Sequence, residues 1–130
     1  GAAEAVAVDS SRRTLDSLEQ LARSWELPLS TRQSEVRRFL ANSNTLRPFD
    51  IVYVDPPYDF AHYDDVMNEI DSTLPLSRDA VVVVEHRKKR EVSPARFERL
   101  AHRESRSWGQ VGVEIFDVRY RSSDESDGKA

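Results

Sequence analysis

The chain has 130 residues, 38% hydrophobic and 32% charged, which fits one domain with a core of ordinary size. It has no cysteine, its three histidines (His62, His86, His102) form no ligand-spaced cluster, and no apolar run approaches the roughly 20 residues that span a bilayer, so no disulfide, metal site or membrane segment is expected. A net charge of −4 argues against a uniformly basic nucleic-acid binder but leaves local basic patches open.

The start, Gly1-Ala2-Ala3-Glu4, has neither a basic n-region nor a long h-region, so a cytoplasmic protein is expected. Ala5-Val6-Ala7-Val8 then reads as a strand ending at Asp9. Behind Ser10-Ser11, a suitable N-cap, the residues Leu15, Leu18, Leu21, Ala22 and Trp25 recur at helical spacing, and Pro28 closes that helix. Ser30 to Gln33 predicts a short strand, and Val36, Phe39 and Leu40 mark the apolar side of a second helix. Ile51-Val52-Tyr53-Val54 is β-rich and must stop at Asp55-Pro56-Pro57, because the two prolines remove ladder donors.

Tyr63, Val66, Met67, Ile70 and Leu74 predict a third helix, closed by Pro75. Val81-Val82-Val83-Val84 is the next strand. Uninterrupted β-branched runs indicate strands covered on both faces, so the fold class is α/β and doubly wound, a Rossmann-like sheet with helices on both faces. Ser93-Pro94 predicts a helix start ahead of Phe97 and Leu100. Glu104 to Ser107 and Val111 to Tyr120 flank Trp108-Gly109-Gln110 as an antiparallel C-terminal strand pair. The expected domain is 1–121, and residues 122–130 form an acidic tail with almost nothing to bury, expected to be disordered.

Three apolar runs each end in an acid: Asp9, Asp55 and Glu85. In open α/β sheets the ligand crevice lies at the carboxyl ends of the strands, although an acid there can also serve only to solvate the strand end or cap the next helix. Asp9 sits where the second strand of a dinucleotide-type fold carries the acid that binds ribose hydroxyls; its plain alternative is an N-cap.

Asp55-Pro56-Pro57-Tyr58 carries the strongest signal. A proline-rich stop accounts for the prolines but for neither the acid before them nor the aromatic after them. An exocyclic base amine is a poor nucleophile because its lone pair is delocalised into the ring. The Asp55 carboxylate and the Pro56 carbonyl, accepting its two hydrogens, would favour a pyramidal nitrogen with its lone pair aimed at a methyl donor. The prolines would hold those acceptors rigidly while the Tyr58 ring stacks on a base turned out of its helix or loop.

With these residues in view, the chain resembles the RsmD family of class I, S-adenosylmethionine (SAM)-dependent methyltransferases, which act on guanine N2 of 16S ribosomal RNA. The resemblance runs from Gly1 through Val118. It rests on Ala5-Val6-Ala7-Val8-Asp9, Glu35-Val36-Arg37-Arg38-Phe39-Leu40, Phe49 to Tyr58, Val82-Val83-Val84-Glu85-His86 and Gly109-Gln110-Val111. The tetrapeptide alone is shared with adenine-N6 enzymes, so guanine rather than adenine is implied by the resemblance only. The resemblance implies that Asp9, with Ser10 beside it, meets the SAM ribose, and that Glu35 and Val36 meet the adenine through side chain and backbone. At position 35 the family usually has Asp, one methylene shorter. It also implies that Asp55, Pro56, Pro57 and Tyr58 hold the target base, and that the partner is ribosomal RNA or the small ribosomal subunit, met by a monomer.

Arg87-Lys88-Lys89-Arg90 places four cations on what reads as the loop after the Val81–Val84 strand. They are expected to contact RNA phosphate, the alternative being an ordinary solvated loop. Arg12-Arg13 and Arg37-Arg38 are expected on solvated helix faces. The family places a strand, a glycine-rich SAM loop, a helix and a basic segment before the equivalent of Gly1. Here Gly1 is the only glycine before Gly109. The chain therefore reads as lacking the strand that would lie between those of Asp9 and Asp55, and residues 1–130 alone are expected to bind SAM poorly and to show little activity. A non-catalytic nucleic-acid-binding remnant is the alternative of another class.

Overall fold

The structure is a computed structural model that describes residues 1–56, 62–87 and 97–119. The chain divides into two compact units, Gly1–Asn42 and Ser43–Ala130. The fold is α/β, with a Rossmann-like alternation of strands and helices.

The first unit holds β1 (Ala5–Asp9), α1 (Arg12–Ser24), β2 (Leu29–Gln33) and α2 (Val36–Ala41). β1 and β2 pair in parallel from Ala5↔Leu29 to Asp9↔Gln33, the register a β-α-β crossover produces. Ser11 caps α1 as predicted, its hydroxyl accepting from the Thr14 N–H at 3.2 Å. The helix ends at Ser24, four residues before Pro28, because Glu26 turns left-handed at φ 52°. Trp25 is thus the C-cap and not a helical residue. The predicted apolar face divides: Leu15 and Ala22 are buried, whereas Leu18, Leu21 and Trp25 are exposed.

The second unit contains a short 3-10 turn (Ser43–Thr45), β3 (Phe49–Val54), α3 (Tyr63–Ser72), β4 (Leu76–Arg87), β5 (Leu100–Trp108) and β6 (Val111–Val118). Its sheet runs β3-β4-β6-β5, with β3 and β4 parallel and the two later pairings antiparallel. The predicted C-terminal hairpin is present, turning at Gly109, whose φ of 56° suits a residue without Cβ. The five apolar residues predicted for the third helix, Tyr63, Val66, Met67, Ile70 and Leu74, are all buried. With Ala80, Val82, Val84, Leu100 and Phe116 they form the core of this unit.

Three expectations change here. β4 does not stop at Val84 but continues through Glu85, His86 and Arg87, because β6 supplies partners for them at Val113, Gly112 and Val111. Arg87 is therefore the last residue of a strand, not part of a loop. Leu100, expected on a helix, opens β5 opposite Val118, and Phe97 is not helical. The Asp71 carboxylate accepts the N–H groups of Glu98, Arg99 and Leu100 at 2.7–3.0 Å and steers the chain into the strand. Lastly, α3 ends at Ser72 rather than at Pro75. The proposed helix start at Ser93-Pro94 and the tail 122–130 lie outside the described residues.

Candidate active site

β3 ends at Val54, paired with Val84, so Asp55 and Glu85 are the next positions along two adjacent parallel strands. Alternation along β3 puts Tyr53 on the same face as Asp55. The Tyr53 hydroxyl donates to Glu85 Oε2 at 3.1 Å, and the parallel register sets the Asp55 and Glu85 acids beside one another. Partial removal from water and the neighbouring Glu85 acid push the Asp55 carboxyl up to about 6. The Tyr53 phenol is raised by burial first and then by its bond to Glu85 and the two acids, so it stays neutral. From the core side, the Tyr63 hydroxyl donates to the Glu85 backbone carbonyl and anchors that strand position.

Asp55 and Pro56 thus stand at a strand tip as predicted. Pro57 and Tyr58 lie outside the described residues, as do Lys88, Lys89 and Arg90; Arg87 is exposed at the end of β4. Tyr53 carries no role in the sequence reading, and Glu85 enters it as a strand-tip acid and as part of the Val82-Val83-Val84-Glu85-His86 landmark, with no catalytic step. The signal was available: period-two alternation places Tyr53 with Asp55, and aligning the two apolar runs in parallel puts Glu85 level with Asp55.

In the first unit Asp9 ends β1, half-buried, and its Oδ1 accepts from the Ser11 N–H at 2.7 Å. Ser10, exposed, lies between them. The Ser34 N–H donates to the Asp9 carbonyl at 3.0 Å, which ties the start of α2 to the tip of β1. Glu35 is the N-cap of α2, its Oε2 accepting from the Arg38 N–H at 3.1 Å, and Val36 opens the helix. Ser11 rather than Asp9 is thus the N-cap of α1, whereas Glu35 does cap α2. A carboxylate at the tip of β1 and another at the start of α2, with a backbone N–H at that helix start, are groups that could hold a ribose diol and a purine. Among the described residues no group of His, Asp and Glu could hold a metal ion, and no helix is long and apolar enough to cross a membrane.

The family model described as conserved hypothetical protein 95 matches residues 1–117. The chain belongs to this family, which is RsmD-like. No curated protein matches it. Among solved structures it is similar to yhhF of Escherichia coli, named as a candidate methyltransferase, with a TM-score of 0.78 and 21% identity over 90% of this chain and 64% of that one. A conserved hypothetical protein of Streptococcus pyogenes gives a TM-score of 0.79 and 20% identity, covering 90% of this chain and 72% of that one. HI0767 of Haemophilus influenzae, named as a candidate methylase, gives 0.74 and 18%, covering 89% and 73%. The chain thus spans less than two thirds of the Escherichia coli protein. At these identities the likeness establishes the shared fold.

Proposed function

We propose that this chain belongs to a SAM-dependent methyltransferase that modifies the exocyclic N2 amine of a guanine in small-subunit (16S) ribosomal RNA. The observation that carries the reading is the Asp55-Pro56 strand tip, where a carboxyl and a proline-fixed carbonyl adjoin a second acid. Membership of the RsmD-like family and the candidate methyltransferases of the same fold support it.

In this reading Asp9, Ser10, Glu35 and Val36 hold SAM, and Asp55 and Pro56, with Pro57 and Tyr58, hold the base. SAM supplies an electrophilic methyl group whose sulfonium becomes a neutral thioether as the new N–C bond forms. With its carboxyl at about 6, Asp55 is mostly ionised at neutral pH. It accepts an N2 hydrogen, favours the pyramidal amine and takes the proton released when nitrogen acquires the methyl group. A methylated aryl ammonium is far more acidic than this carboxyl, so no stronger base is required. Arg87, with Lys88, Lys89 and Arg90, meets RNA phosphate.

The test is transfer of a labelled methyl group from SAM to small ribosomal subunits by the full-length natural protein. Digestion to nucleosides is expected to place the label in N2-methylguanosine. Label at adenine N6 would overturn the guanine assignment, and no label in any nucleoside would overturn the reading.

A further inference from the structure

Holding an amine takes two acceptors, which Asp55 and the Pro56 carbonyl already provide. Glu85 adds another at the same strand tips. Its position is fixed twice: Tyr53 donates to its carboxylate, and the buried Tyr63, 3% exposed, donates to its backbone carbonyl. Glu85 and Asp55 are the next positions along two adjacent parallel strands, so side-by-side acids stand at the strand tips of the site.

The chemistry of the bases then discriminates. On the Watson–Crick edge of guanine, the N2 amine lies beside N1–H, and both are donors. On adenine the N6 amine lies beside N1, and on cytosine the N4 amine lies beside N3; both neighbours are acceptors. Two adjacent carboxylates match the first pattern. Against either of the others, an ionised Glu85 would set lone pair against lone pair.

We propose that Glu85 is the base-selecting residue of this site, accepting N1–H of guanine while Asp55 accepts the N2 amine. Tyr53 and Tyr63 are its positioning residues. The proposal rests on the amine-methylation reading above and adds to it a physical reason for guanine that the tetrapeptide does not contain.

The experiment compares guanosine 5′-monophosphate, its 1-methyl derivative and adenosine 5′-monophosphate by NMR titration of the full-length natural protein. The wild type is expected to bind the guanosine nucleotide about tenfold more tightly than the other two, the ratio that about 1.4 kcal/mol produces. Glu85→Ala is expected to bring the three within about threefold. Glu85→Gln, which keeps an acceptor oxygen and the Tyr53 bond, is expected to restore most of the preference over the 1-methyl derivative. A wild type that binds the guanosine nucleotide and its 1-methyl derivative alike, or binds neither, overturns the proposal, as does a full preference in Glu85→Ala. Methyl transfer that depends on Asp55, together with equal binding of the two guanosine nucleotides, would remove the role of Glu85 and leave the methylation reading standing. A guanosine preference dependent on Glu85 without any methyl transfer would do the reverse.

Discussion

The His86 imidazole occupies the space that a side chain on Gly112 would need: a Cβ built there would lie 2.5 Å from His86 Cε1 and 2.9 Å from Nε2. The two residues are directly opposed across β4 and β6. His86 is held from both ends, with Nδ1 2.7 Å from the Arg87 carbonyl and Nε2 2.8 Å from Glu114 Oε2. Gly112→Ala must displace the ring and break at least one of these contacts. The expected loss is about 1–3 kcal/mol, as for overpacking a filled core. Urea denaturation measures it, and an unchanged midpoint would show that the ring has room to move.

Glu114 also accepts from His102 Nε2 at 2.8 Å and from the Ser105 hydroxyl. Partial burial pushes its carboxyl up, but the bonds from Ser105, His86 and His102 outweigh this and leave it below the usual range. A carboxyl lowered in the folded state contributes stability above its unfolded value of about 4.5 and loses it as pH falls through the folded value. Glu114→Gln is therefore expected to lower Tm at pH 7, with the difference from wild type shrinking below pH 4.5. Thermal unfolding across pH 3–8 reads this directly.

Asp71 joins α3 to the start of β5. Besides its three backbone donors, Arg99 Nη2 reaches the Ile70 and Leu74 carbonyls, each at 2.7 Å, which satisfies acceptors at the end of the helix. Asp71→Ala leaves three N–H groups without their acceptor and is expected to destabilise by about 2–4 kcal/mol, given that charge-assisted bonds exceed neutral ones. Chemical denaturation would show it. Hydrogen exchange should also quicken first at Arg99 and Leu100.

Asp55 has the opposite linkage to Glu114. Its carboxyl is raised from 3.8 to about 6 in the folded protein, so its contribution to stability is fully present below about pH 4 and is lost as pH rises through 6. Asp55→Asn is accordingly expected to raise Tm at pH 8 and to match wild type near pH 3.5. Thermal unfolding at those two pH values checks the sign. The same substitution should abolish methyl transfer, the stability-for-activity exchange expected of a group held in a costly state for function.

Much of this was legible along the chain. The β-branched runs at Ile51–Val54 and Val81–Val84 marked two strands, because those residues suit a pleated surface, but the expected cover on both faces is missing from β3, where Ile51 and Tyr53 are exposed. The spacing from Tyr63 to Leu74 fixed a helix and the face it buries. What was not legible depended on distant partners. The Glu85-His86-Arg87 extension of β4 exists because β6 lies beside it. The start of β5, residues 100–103, has little strand pattern of its own and becomes a strand through β6 and the clamp of Asp71. At the site, the motif marked Asp55, but the roles of Tyr53 and Glu85 emerged only once the parallel register set them side by side.

The central claim is that Asp55 holds a base amine for methyl transfer. It is tested most directly by measuring labelled methyl incorporation from SAM into small ribosomal subunits by the full-length natural protein and its Asp55→Ala variant. The account predicts label in N2-methylguanosine for the wild type, a rate that rises with pH through about 6 as Asp55 ionises, and a loss of about 10²-fold or more in the variant. Undiminished incorporation with Ala at position 55 would contradict it.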